Sequence, residues 1–350
     1  MRFNHHNISN LVGGGKRLRY IDLLKGFGIV LMVAGHMHYN DFIEKFIYGF
    51  HMPLFFFLSG YLHHTPKNMF QYIQRKARTL LLPYFIMGIF YIIIDVMIHG
   101  SVVLRKDIIG VFIKTTDWLP LESALWFLVA LFWVCCLYSI LERYVKNIGI
   151  RTLVVFIISM IGCKWTEYLF VLPWGINSAM AALGFYYLGN CFKLYEEDIM
   201  VSLKVRNVSS IVKRIIVILF VISGTIIIFN EKVNMRVGYY GNAALAYLAA
   251  TIFSILLLII FRWLELELQK HKMQQILSVL VDIGRYSIIY VCVNHLALEL
   301  AKYILVFLGT SSIGELAIIL EFMIAMVIML IIASIVRGTF LRKIFFCKKI

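Results

Sequence analysis

Apolar runs close to 20 residues long recur along this chain from residue 20 to residue 337, and no other feature constrains its fold as much. A bilayer's hydrocarbon core is about 30 Å thick, which about 20 helical residues can cross. Inside it every backbone N–H and C=O must be satisfied within the protein, and for isolated apolar runs that means helices. The runs fall at about 20–38, 46–62, 80–98, 121–141, 152–164, 175–192, 212–230, 239–261, 277–308 and 315–337. They predict an all-α, polytopic membrane helix bundle of about ten transmembrane helices.

Composition and charge agree. The chain is 61% apolar and 15% charged, whereas soluble chains carry about 45–50% and about 25%. Its formal charge of +15 sits in short basic clusters between the apolar runs. That pattern argues against a nucleic-acid partner, which would need a basic face. With the N-terminus inside, and basic residues at the ends of runs counted with the adjoining segment, 24 of the 34 Lys and Arg fall in inner segments and 7 in outer loops. By the positive-inside rule both termini are expected in the cytoplasm. Residues 1–19 then form a basic cytoplasmic segment and residues 338–350 a basic cytoplasmic tail, around a transmembrane domain at 20–337. The first run is expected to be a retained helix rather than a signal peptide, because about 19 polar residues precede it and no small-residue cleavage site comes after it. Cys135, Cys136, Cys163, Cys191, Cys292 and Cys347 form no CxxC pair. They read as small hydrophobes, without a disulfide framework or zinc site. His5, His6, His38, His63 and His64 are not spaced as metal ligands, so no metal is expected.

Polar residues inside the apolar runs carry the functional signal. "DLLKGFGIVLMVAGHMH" (Asp22–His38) places Lys25 and His36 eleven residues apart. On a helix that is roughly 16 Å along the axis and within about 20° of the same face. Either Lys25 snorkels to a headgroup, or one side of this helix is a polar track with Asp22 near it. The second run, "FHMPLFFFLSGYL", carries His51 and Pro53 at one end and Ser59 and Gly60 at the other. In "QYIQRKARTLLLPYF", Arg75 and Arg78 stand three apart, a spacing that lets two guanidiniums close on one anion. A positive-inside stop would read the same way.

Five pieces together carry a resemblance: "YIDLLKGFGIVLMVAGH", "FHMPLFFFLSGYL", "RKARTLLLPYF", "LWFLVALF" (Leu125–Phe132) and "IGRYSIIYVCVNH" (Ile283–His295). In this order, over nearly the whole chain, they resemble the acyltransferase-3 family of integral membrane acyltransferases. The chain is most similar to its fucose 4-O-acetylase-like polysaccharide acetyltransferases. The resemblance implies an O-acetyltransferase of a cell membrane, expected to be bacterial, with acetyl-CoA as donor substrate. Its expected acceptor is a hydroxyl of an exported polysaccharide or lipid-linked sugar. It further implies that His36 is the catalytic histidine and that Arg75 and Arg78 match the family's RxxR donor-binding motif. Lys25 stands where the family more often has arginine, so the charge is kept and the planar fork lost. We assign Lys25 to the donor channel.

The chemistry fits these placements. A sugar hydroxyl attacks a thioester only as its proton leaves, and a neutral imidazole can take that proton. Glu122, just before "LWFL", is the first candidate to orient His36, with Asp41 second; either also reads as a loop carboxylate. His51 and His295 line the cavity or are bonded within the bundle. Trp126, Tyr186 and Tyr187 read as packing or interface aromatics. The oxyanion donor and the oligomeric state stay open. The alternatives are a transporter or flippase for a cell-surface glycan, and a scaffold that has lost its chemistry.

Overall fold

The computed structural model describes residues 18–37, 40–204, 210–270, 275, 277–309 and 314–345. His5, His6, His38 and Cys347, with most of the N-terminal segment and the end of the tail, lie outside the described residues. The first helices are α1 (Arg19–Gly35), α2 (Asp41–Tyr61), α3 (Met69–Lys76), α4 (Leu82–His99) and α5 (Leu104–Ile109). Then come α6 (Trp126–Tyr144), α7 (Ile148–Tyr168), α8 (Ile176–Lys204), α9 (Ser210–Phe229) and α10 (Ala243–Lys270). The last four are α11 (Ser278–Arg285), α12 (Ser287–Phe307), α13 (Gly314–Gly338) and α14 (Arg342–Phe345). One isolated bridge, Asn234 to Tyr239, is the only β pairing among the described residues.

Local chemistry sets the helix ends. Asn40, Asn68 and Asn147 cap α2, α3 and α7, each accepting a backbone N–H in the first turn at 2.8, 3.0 and 3.1 Å. Short amide side chains suit that position because they satisfy an orphan donor. Gly100, at φ +79°, ends α4 in the left-handed region. Five cysteines lie in the helices as free thiols.

Among the described residues six stretches are long and apolar enough to cross a membrane. They are Met69–His99, Trp126–Tyr144, Ile148–Tyr168, Ala243–Gln269, Ser287–Phe307 and Leu316–Gly338. The other expected spans are helices too, but each departs from that standard for a visible reason. α1 has only 17 residues, and α2 begins with Asp41, Glu44 and Lys45. α8 mixes Asn177, Asn190, Lys193 and Glu196 among its apolar residues, and the apolar part of α9 shortens to Arg214–Phe229. The run at 277–308 is two helices, broken at Tyr286. The run at 80–98 starts a full helix earlier, at Met69, and passes through a π-helical turn at Ala77–Leu81.

Leu316, Ile319, Met323, Val327, Ile331 and Ile335 form one exposed apolar stripe down α13. Water would penalise such a stripe at every turn, whereas lipid accepts it. On the inside, Phe50, Phe56 and Phe57 of α2 are fully buried with Tyr186 and Phe185 of α8. The α2–α8 crossing is close because two glycines face two carbonyls. A Cβ on Gly60 would overlap the Tyr186 carbonyl, and one on Gly189 would overlap that of Phe57. Small residues at such crossings let backbones approach in a bundle that lacks a hydrophobic drive between helices.

Candidate active site

α1 carries one end of the site on each of its own ends. His36 sits at its C-cap, where the last carbonyls make the helix terminus partly negative. His36 lines a cavity of about 160 Å³ together with Tyr48, His51, Trp126, Lys232 and His295. Its Nδ1 lies 3.1 Å from the Tyr48 hydroxyl, and its ring centroid lies 4.6 Å from that of His295. Gly35 makes room for this arrangement, since a Cβ there would sit 3.3 Å from the Tyr48 ring. The Tyr48 ring also meets His51 edge-on at 5.2 Å between centroids. His51 is 3% exposed, and its Nδ1 donates to the Ile47 carbonyl at 2.8 Å. That bond fixes the proton on Nδ1 and leaves the lone pair on Nε2 of the neutral ring.

The loop between α9 and α10 roofs this cavity. Lys232 pairs with Glu44 at 2.5 Å and lies 5.1 Å from the Tyr48 ring centroid. Glu44, on the first turns of α2, is buried. Arg236 donates from Nε to the Thr116 carbonyl at 2.8 Å. Thr116 belongs to a stretch in which Thr115, Trp118 and Leu121 all take positive φ. Backbone of that kind persists only where its surroundings hold it in place. Ser178 donates to the Met235 carbonyl at 2.8 Å, and Asn230 donates to the Tyr240 carbonyl at 3.1 Å. The roof is therefore tied to α8 and to itself.

Lys25, at the other end of α1, lines a second cavity of about 230 Å³ with Ser59, His63, Tyr72, Lys76 and Tyr186. His63 bridges Glu142 at 3.0 Å from Nε2 and the Tyr186 hydroxyl at 2.9 Å from Nδ1. Lys193 donates to the His63 carbonyl at 3.1 Å. Burial, and then the Lys193 ammonium, push the pKa of His64 down from its ordinary value.

Four helices frame both cavities. Phe55 of α2, Phe127 of α6 and Val291 of α12 face the first, and Ser59, Leu131 and Ile288 of the same helices face the second. Those pairs are three or four residues apart, while on α1 Met32 faces the first cavity and Lys25 the second, seven residues apart, so the partition is one to two helical turns, roughly 5–10 Å, thick. The Phe55 and Phe127 rings meet across it at 5.9 Å between centroids.

The sequence-predicted residues divide accordingly. His36, His51, His295 and Trp126 come together at one cavity; Lys25, His63, His64 and Tyr186 come together at the other. Arg75 and Arg78 are exposed on the helix that walls the second cavity but do not line it. Asp41 is exposed on the first turn of α2. Glu122 lies in the short turn Pro120–Glu122; its side chain is outside what the structure describes. Tyr187 is turned away, with its hydroxyl 2.5 Å from Thr152.

Tyr48, Glu44, Lys232 and Arg236 were not legible as site residues. Glu44, Tyr48, His51, Met52 and Phe55 share one helical face, which becomes visible only when the second run is extended a turn before residue 46. No local pattern announces Lys232 or Arg236. Among the described residues no group of three or more His, Cys, Asp or Glu is placed to hold a metal ion.

Membrane-length helices framing two polar cavities, each lined by histidine and lysine side chains, define a multi-pass membrane enzyme in class. The chain belongs to the acyltransferase-3 family: the family model, described as an acyltransferase domain, matches residues 18–338. It is thus an acyltransferase, of the kind that transfers groups other than aminoacyl groups. No curated protein and no solved structure shows a significant match to it.

Proposed function

We propose that this acyltransferase moves an acetyl group from cytoplasmic acetyl-CoA to a hydroxyl of an exported polysaccharide or lipid-linked sugar. This is the activity of the fucose 4-O-acetylase-like branch that the chain resembles. The observation that carries the reading is the pair of polar cavities on the same four helices, one holding His36, His51 and His295 and the other Lys25 and Lys76. In this reading the chain crosses the cell membrane about ten times with both termini in the cytoplasm. The Lys25 cavity opens inward and receives the donor, with Arg75 and Arg78 at its mouth. The His36 cavity receives the acceptor from the other side, and the thioester reaches it through the Phe55–Phe127 partition.

The step balances within the site. His36 Nε2 takes the hydroxyl proton as the oxygen attacks the thioester carbonyl carbon. The tetrahedral intermediate collapses, the carbon–sulfur bond breaks, and the departing thiolate recovers that proton from His36. The products are the ester and free CoA. For Nε2 to act as base, Nδ1 must carry the ring's other hydrogen and give it to an acceptor. Tyr48 Oη is that acceptor at 3.1 Å, the role that the sequence had offered first to Glu122.

Two experiments test this. Ester-linked acetate on the cell-surface glycan, measured by mass, should vanish in a deletion strain and fail to return with a His36→Ala copy. Unchanged acetylation in either strain would overturn the function. Tyr48→Phe keeps the ring and removes the partner of Nδ1. Losing a bond of about 0.5–1.5 kcal/mol should lower the maximal transfer rate by up to about tenfold, with the donor KM unchanged. A variant at wild-type rate would remove Tyr48 from the site.

A further inference from the structure

The helix that bears Arg75 and Arg78 presents a different face to the second cavity. Tyr72, Lys76, Thr79 and Leu80 line it. These are positions i, i+4, i+7 and i+8, one helical face, and both arginines stand one residue out of step with that face, in the exposed class. The π-helical turn Ala77–Leu81, closed by the Leu82 N–H on the Ala77 carbonyl, begins directly after Lys76. Such a turn admits one extra residue and shifts the register of the helix beyond it, and it often marks a functional site. Lys76 Nζ and Arg75 Cζ lie 5.5 and 5.8 Å from the Tyr72 ring centroid, and of the two only Lys76 lines the cavity. Lys25 lines the same cavity from α1, and Lys193 stands at the neighbouring His63 carbonyl. The Glu142 carboxylate nearby is engaged by His63 at 3.0 Å.

We propose that Lys76, with Lys25 opposite, is the anion site that holds a phosphate of the nucleotide donor, and that Arg75 and Arg78 are secondary to it. Two ammonium groups lining one cavity, Lys25 from α1 and Lys76 from α3, can meet a phosphate from two helices. A contact made inside the cavity is screened by salt less than one made by an exposed guanidinium. Polar Ser59, Thr79 and Tyr72 on the same wall supply neutral contacts for the rest of the donor. The inference rests on the donor assignment made above.

Coenzyme A itself is the probe, because its binding needs no acceptor. Equilibrium dialysis of labelled CoA against the full-length protein in lipid nanodiscs should show Lys76→Met raising Kd by more than about tenfold, as expected for a lost charge-assisted contact. Lys76→Arg should stay within about threefold of wild type, and the double variant Arg75→Ala, Arg78→Ala should cost less than Lys76→Met. In the unaltered protein, CoA should also shield Lys76 from an amine-directed reagent, read by peptide mass. Wild-type affinity in Lys76→Met with no shielding, or a larger loss in the arginine double variant, would overturn the proposal alone. Absence of any CoA binding to the unaltered protein would overturn the donor assignment with it.

Discussion

Replacing His36 by Ala or by Gln should lower acyl transfer by about 10²–10⁴-fold, the range that a positioned general base contributes. His36 is placed for this by three independent contacts: the C-terminus of α1 behind it, the Tyr48 hydroxyl on Nδ1 and His295 against its ring. Transfer by the unaltered protein should rise with pH as the imidazole loses its proton, because only the neutral ring can accept one from the hydroxyl. CoA binding should survive both substitutions, since Lys25 and Lys76 line the other cavity. Transfer to the acceptor in isolated membranes, followed with labelled acetyl-CoA, measures the loss. A His36→Ala protein that is present at normal level and transfers normally would end the catalytic assignment. A glycan transporter would instead lose export, while the glycan still reaching the surface kept its acetyl groups.

Gly60→Leu should disrupt the fold at the α2–α8 crossing. A side chain at Gly60 meets the Tyr186 carbonyl, which is backbone and cannot rotate aside. Overpacking a core typically costs about 1–3 kcal/mol even when side chains can yield. Here α2 and α8 must separate, and the Tyr186 hydroxyl then leaves His63, its partner at 2.9 Å. We expect loss of the monodisperse species in detergent, read by size exclusion. Gly224→Ala is the control: a Cβ there meets only Phe46, at an ordinary 3.7 Å. In that helix interior, alanine in place of glycine should be neutral or stabilise by up to about 1 kcal/mol. Normal assembly of Gly60→Leu would show that the crossing is looser than the backbone contact implies.

The helices were legible because a bilayer leaves little choice: apolar length writes the spans directly into the sequence. Less legible were the places where a helix continues past its apolar part. α2 begins at Asp41 and α3 at Met69, and those polar extensions carry Glu44, Tyr72, Arg75 and Lys76. His36 and Lys25 could be read from one helix because their eleven-residue spacing returns to one face. Tyr48 as the partner of Nδ1 could not, because it depends on how α1 and α2 approach at Gly35. The arginine pair shows the converse. Its spacing carries no information on which face meets the cavity. That is set by tertiary packing around the π turn.

The thin partition at Phe55 and Phe127 carries a consequence for the cell's energy supply. A membrane that stores a proton gradient behaves as a charged capacitor, and any continuous wet path through a protein short-circuits it. This enzyme brings two polar cavities to within one or two helical turns of each other, with the Phe55 and Phe127 rings meeting between them. In the proposed reaction those rings yield to a thioester at every turnover and stay an insulator against ions. The same geometry that shortens the acyl group's journey therefore places the enzyme about one side chain away from being a channel.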